Sequence, residues 1–149
     1  MFDLDPSLIE RYEAMGYIYD LYDGDTVFYH AKLGYNHWAC FQAGRLLDIN
    51  TPEIRPLTTR AIATASRNHL DGLITMYALN REIPASLTMG RKLLCRSEKA
   101  PVKSFSEEFV AAKGKYGRWL VELIGADENG KPISLNRLMV EHGFAKDYS

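Results

Sequence analysis

The side chains that invite chemistry fall in three short stretches, YDGDT (Tyr22 to Thr26), RLLDINTPEIR (Arg45 to Arg55) and GKYGR (Gly114 to Arg118). Singly, each has a plain structural reading: a hairpin turn, a strand exit and a basic loop. Together they supply what attack of water on a phosphodiester needs: a cation against the phosphate, a base for the water, and donors where charge builds on oxygen. Asp25 offers a carboxylate, and Asn50 with the Thr51 carbonyl offers further oxygens of the kind calcium accepts. Glu53, just past Pro52, is held to orient a water. Arg45 and Arg118 carry planar forks that match two phosphate oxygens at once and keep their charge near neutral pH.

The elements that must position these groups are legible in outline. DPSLIERYEAMG opens with Asp5 as a cap and Pro6 at a first helical position, which predicts a helical lead-in over residues 1–16. GYIYDLYDGDTVFYHAKLG alternates apolar and polar residues on both sides of Asp23-Gly24, which predicts two antiparallel strands joined by a tight turn. WACFQAGRLLDI is a third strand, stopped by Pro52. LTTRAIATASRNHLDGLITMYALN places Ile62, Ala65, His69, Leu70, Leu73, Ile74 and Tyr77 on one helical face. RKLLCRSE and the stretch from Gly117 to Ser134 supply a fourth and a fifth strand, the latter followed by a turn at Asn129-Gly130. Ser134 caps a closing helix that stops at Gly143. The long connection before Lys115 is of a length that suggests function or mobility. A mainly β, or α+β, single domain over residues 1–149 follows. Its predicted architecture is a five-stranded Greek-key barrel of the oligonucleotide-binding type, with one helix after the third strand and one at the C-terminus.

Composition narrows the classes. The 149 residues, 46% hydrophobic and 25% charged, suit one globular domain with a real core. A net charge of -1 argues against a protein that coats nucleic acid by bulk electrostatics. The distribution is uneven: Met1 to His30 holds seven acidic residues against one basic, and Arg81 to Arg118 holds nine basic against four acidic. MFDLDPSLIE lacks the pattern of a secretory signal and no run is apolar enough for a membrane span, so the expected address is cytoplasmic, with no membrane contact. Cys40 and Cys95 lack metal-ligand spacing and are expected as two buried free thiols. The four histidines show no ligand spacing, and His69 is expected to be packed or capping. Tyr17, Tyr19, Tyr22, Phe28 and Tyr29 could stack on bases, although strand alternation assigns about half of them to the core.

The run DGDT, then R-L-L-x-x-x-T-P-E, then K-Y-G-R before an apolar strand, then LNRLMVEHGFAK, resembles the staphylococcal-type (micrococcal) thermonuclease family. The resemblance spans about Tyr17 to Lys146 in the right order. It implies a five-stranded oligonucleotide-binding barrel that cleaves DNA and RNA, single-stranded or frayed, with calcium (magnesium or manganese being alternatives), leaving 3′-phosphates. By motif, Asp25 resembles the metal carboxylate, Thr51 a carbonyl ligand, Glu53 the general base, and Arg45 and Arg118 the phosphate-binding arginines. Asp23 matches an acidic position near the metal, and Lys115 and Tyr116 match residues lining the nucleotide site.

One departure bears on activity. Asn50 stands where the family pattern has a second metal carboxylate, so the cation loses a negative partner. Asp48, two residues earlier and read as lying on the same strand face, could help only through a water, being about 7 Å away. The other reading is therefore a catalytically weakened module that binds nucleic acid or a protein partner. A nuclease without a secretory leader would need a restricted substrate, a partner, or a lytic setting such as phage infection.

Overall fold

The computed structural model describes residues 10–52, 59–99 and 119–147. Chain order is β1 (Glu10–Asp23), β2 (Thr26–Gly34), β3 (His37–Leu46), β4 (Ile49–Asn50), α1 (Arg60–Tyr77), a 3-10 turn (Ala85–Leu87), β5 (Arg91–Lys99), β6 (Trp119–Ala126), β7 (Pro132–Ser134), α2 (Leu135–Glu141) and β8 (Lys146–Asp147). Six strands share one sheet in the order β3-β2-β1-β5-β6-β7. Gly44, Arg45 and Leu46 of β3 also pair in parallel with Trp119, Leu120 and Val121 of β6, which closes the sheet on itself. The ring runs β1-β2-β3-β6-β5, with β7 appended to β6 and a separate β4–β8 ribbon.

Inward-facing residues fill the ring. Ile18, Val27, Tyr29, Ala31, Leu46, Leu93, Cys95, Val121 and Leu123 are buried, and Leu70, Leu73 and Ile74 of α1 with Leu135 and Met139 of α2 pack on the same cluster. Closure depends on Gly44, because a Cβ there would stand 2.6 Å from Val121 Cγ2 and 3.0 Å from the Tyr29 ring. The missing side chain lets β3 approach β6 and leaves room for the Tyr29 ring.

From Glu10 onward the expected helical lead-in is replaced by strand, and its residues 1–9 lie outside the described residues. Glu10 to Gly16 belongs to β1, where Met15 pairs with Lys32 on one side and Leu94 on the other. Glu10 to Ala14 pair with β5 alone and Met15 and Gly16 with both β5 and β2, and this pairing outweighs the local helical signal, since tertiary context overrides propensity. The Asp23-Gly24 hairpin forms as expected, with Asp23 opposite Thr26. The uneven charge also finds a use: β1 lies antiparallel to β5, and Arg96 Nε sits 2.9 Å from Glu13 Oε1.

The expected face of α1 holds at Leu70, Leu73 and Ile74 but rotates at its start, where Ala63 and Ser66 are buried and Ile62 is 61% exposed. The small pair lets the helix approach the β1–β2 turn, which larger side chains would prevent. Ser134 caps α2, its Oγ accepting from the Arg137 amide at 3.4 Å. Cys95 is buried as expected and its thiol is pushed up to about 12 by burial. Cys40 is exposed instead, standing on the outer side of β3. None of the described helices is long and apolar enough to cross a membrane.

Candidate functional site

The β1–β2 turn, the end of β3 and the residues after β4 meet at one end of the ring. Asp25 is 6% exposed, and its carboxylate is held from several directions. Thr51 N–H donates to Oδ2 at 3.2 Å, and the Thr26 hydroxyl donates to Oδ1 at 3.4 Å. Arg45 Nε lies 3.9 Å from Oδ2. The same guanidinium donates through Nη2 to Asn50 Oδ1 at 3.2 Å, so Arg45 lies across both oxygen donors. The backbone adds a further tie: Leu46 N–H donates to the Asp25 carbonyl at 2.7 Å.

Gly24 is what permits this geometry. A Cβ on it would meet Ser66 Cβ of α1 at 2.8 Å and Thr51 Cβ at 3.2 Å. The turn is thus pressed between helix and β4 exit, which seals Asp25 from one side. Asp23 is buried too, and its Oδ1 accepts the Asp25 amide at 3.2 Å. Its carboxyl is pushed up to about 7, chiefly by burial, with the adjoining Asp25 carboxylate adding to the effect. Two carboxylates so close hold one proton more tightly than either would alone.

Asp25, Arg45, Asn50 and Thr51 therefore converge, with Asp23 behind them. Asp48 does not join them. It occupies a turn between β3 and β4 with φ of 62° and is exposed, so the same-face reading fails. The chain leaves the ladder at Leu46 and re-enters at Ile49, which breaks the two-residue alternation. The Asp48 carbonyl accepts from Arg137 Nη2 at 3.3 Å. Glu53, Lys115, Tyr116, Arg118 and most of the long connection lie outside the described residues.

Sequence reading gave no role to the residue that fixes the β3–β4 corner. Asn136, 1% exposed, donates through Nδ2 to the carbonyls of Leu47 and Val121, each at 3.0 Å, and accepts the Leu123 amide at 3.1 Å. It ties α2 to β6 and to the corner that carries Asn50 and Thr51. The available signal was an amide between Ser134 and the apolar positions Leu138 and Met139, in the first turn of the helix, a position that demands partners when buried.

As a cation site the cluster fits in donor type. Asp25, Asn50 Oδ1 and the Thr51 carbonyl are hard oxygens, and the Thr51 hydroxyl is buried among the described residues without a hydrogen-bond partner. In charge the set is lean: no group of three His, Cys, Asp or Glu side chains able to hold a metal occurs among the described residues. His69 is packed, as expected, with Nε2 2.8 Å from His142 Nδ1 and its ring stacked 4.1 Å from Phe144. No family model and no curated protein matches the chain.

Proposed function

We propose that this protein is a metal-dependent phosphodiesterase of the thermonuclease type, cutting single-stranded or frayed DNA or RNA. The observation that carries this reading is the meeting of Asp25, Arg45, Asn50 and Thr51 at one end of a closed ring, around a carboxylate held by an amide and a hydroxyl. The ring order β1-β2-β3-β6-β5, with a helix between β3 and β5 and another after β6, supports an oligonucleotide-binding barrel as its frame. Asp25, Asn50 and the Thr51 carbonyl would hold the cation, calcium being the best match and magnesium or manganese the alternatives. Such an ion, when bound, neutralises phosphate and lowers the barrier to attack by water. Arg45, with Arg118, binds the phosphate oxygens, and Glu53 accepts the proton of the water. Burial beside Asp25 holds the Asp23 carboxyl well above the ordinary carboxylate range, so near neutral pH it brings less negative charge to the site than a free aspartate would.

A specific observation favours the second reading, a weakened module that only binds. Asn50 Oδ1 is engaged by Arg45, and Asn50 contributes no charge. Cleavage of single-stranded DNA with calcium, magnesium, manganese or chelator separates the two. A nuclease cuts with metal and loses that activity in Glu53→Gln. A binder retains oligonucleotide in a salt-sensitive way without cutting, and gains activity in Asn50→Asp.

A further inference from the structure

The outer face of β1, β2 and β3 carries a row of aromatic rings leading away from Arg45. Cross-strand partners share a face, so Arg45 with Thr26, and Ala43 with Phe28, stand on the same side of the sheet as Lys32 with Trp38. Tyr19 stacks on His30 with centroids 4.6 Å apart and planes at 18°, and lies 6.5 Å from Phe28. Phe41 meets His30 edge-on at 4.8 Å and Tyr19 at 6.0 Å. Beyond them Tyr17 and Trp38 touch at 5.5 Å, and both line a surface groove of about 570 Å³ that Leu87, Met89 and Lys92 also border.

Phe41 is the informative member of the row. Its ring is 77% exposed, yet its backbone stands at φ of 55°, a region that non-glycine residues avoid. Its N–H donates to His30 Nδ1 at 3.0 Å, which locks the bulge in β3 and fixes the ring outward. A chain that merely needed a bulge here would be served by glycine, and a folded core gains nothing from an exposed phenyl group. Strain kept in order to present a ring to solvent is a mark of contact with a ligand.

We propose that this face is a base-stacking platform for single-stranded nucleic acid, entered at Arg45 and ending at Trp38. The proposal rests on the phosphodiester reading of the Arg45 end and names how the strand next to the cut bond is held. Flat rings accept any base, and cations at the two ends, Arg45 at one and Lys32 with Lys92 at the other, suit a polyanion. Asp20, opposite Phe28, turns its Oδ1 back to the Leu21 amide at 2.8 Å. A second copy fits less well, because a two-fold contact on this face would bring Arg45 of one protomer toward the Lys32 end of the other.

The test is a fluorescence-anisotropy titration of a labelled oligothymidylate of roughly ten nucleotides, in chelator so that nothing is cut. Phe41→Gly and Tyr19→Ala are each expected to weaken binding between about fivefold and a hundredfold. Phe41→Gly removes the ring and relieves the backbone, so lost binding cannot be ascribed to unfolding if its thermal midpoint equals that of the native protein. Native affinity in Phe41→Gly overturns the platform, as does equal affinity for duplex, or a patch that instead self-associates in sedimentation. A parallel cleavage assay on a dinucleotide, too short to reach Phe41, keeps the two readings apart. Ring-dependent binding without any cutting sustains the platform and removes the nuclease. Cutting of long and short substrates with KM unchanged in Phe41→Gly sustains the nuclease and removes the platform.

Discussion

The turn at Asp23–Asp25 and the rings at Tyr19–Phe41 sit on the same strands, yet they hold their functional groups in opposite ways. At the turn the polar atoms are buried and engaged: Asp25 by Thr51, Thr26 and Arg45, and Asp23 by the Asp25 amide. On the outer face the rings lean on one another, and Tyr19 and Phe41 in particular are turned to solvent. A buried ionic cluster is part of what keeps the chain folded, so changes there move stability and chemistry together. Exposed rings contribute little to folding, so changes there should move binding alone. The contrast predicts which substitutions are separable and which are not.

The sharpest test of the first half is Asn136→Leu. Leucine matches asparagine roughly in size but leaves the Leu123 amide without its acceptor and removes a donor from the Leu47 and Val121 carbonyls. Buried groups left unsatisfied should cost roughly 3 kcal/mol in all, which corresponds to a fall of about 10 °C in thermal midpoint for a domain of this size. Calorimetry would show it. The proposed phosphodiesterase activity should fall with stability, since the corner that presents Asn50 and Thr51 is the one Asn136 ties down.

Asp23→Asn tests the electrostatic part with the opposite sign. The folded carboxyl stands at about 7 against an ordinary 3.8, so between those values the folded chain holds more protons than the unfolded one. Stability from this group is therefore present at low pH and is lost as pH rises through that window. The amide cannot ionise. Asp23→Asn should be more stable than the native protein at pH 8 by at least about 1 kcal/mol, with the difference vanishing below about pH 4 in urea titrations. A variant that is less stable at pH 8 would show that the carboxylate is needed ionised.

How much of this was visible in the sequence depends on the range of the forces involved. The Asp23-Gly24 hairpin, the Ser134 cap and the strand over RKLLCRSE were legible because each is set by neighbouring residues. The convergence of Asp25, Arg45, Asn50 and Thr51 was anticipated by motif, although spacing alone left each stretch with an ordinary reading. What failed was set by distant partners. Glu10–Gly16 became strand because β5 pairs with it throughout and β2 joins from Met15, and Ile62 turned outward because Gly24 lets Ser66 come close. Asp48 left its expected face because the chain turns at Leu47, a corner held from α2 by Asn136. The positive φ of Phe41, the strongest sign of use on the outer face, leaves no trace in residue type, since phenylalanine is not a residue that favours it.

The second half of the contrast is tested by stability rather than affinity in Phe41→Gly. Glycine adopts φ of 55° without strain but adds freedom to the unfolded chain, so the two effects offset. The expected change is within about 1 kcal/mol of zero. A loss well beyond that would mean the exposed ring supports the fold, and the distinction between the two regions would collapse.

The smallest effect should come from a place that belongs to neither region. His69 of α1 faces His142 just beyond α2, with Phe144 stacked on the imidazole and the Phe144 carbonyl accepting from Ser66 Oγ at 2.9 Å. Burial, and then the neighbouring His142, hold the His69 pKa below its ordinary 6.5. In the unfolded chain it protonates first, so its contribution to stability is complete above about 6.5 and declines as pH falls from there toward the lowered value. His69→Phe keeps a ring against Phe144 and cannot titrate. Its stability should therefore vary less than that of the native protein between about pH 5 and 7, measured as urea midpoints at closely spaced pH. Because Ser66 also presses on Gly24, slackening this contact with acid should reach the buried turn before it reaches the exposed rings. If the chain cuts and binds as proposed, cleavage should then weaken at a pH where oligonucleotide binding on the outer face still holds.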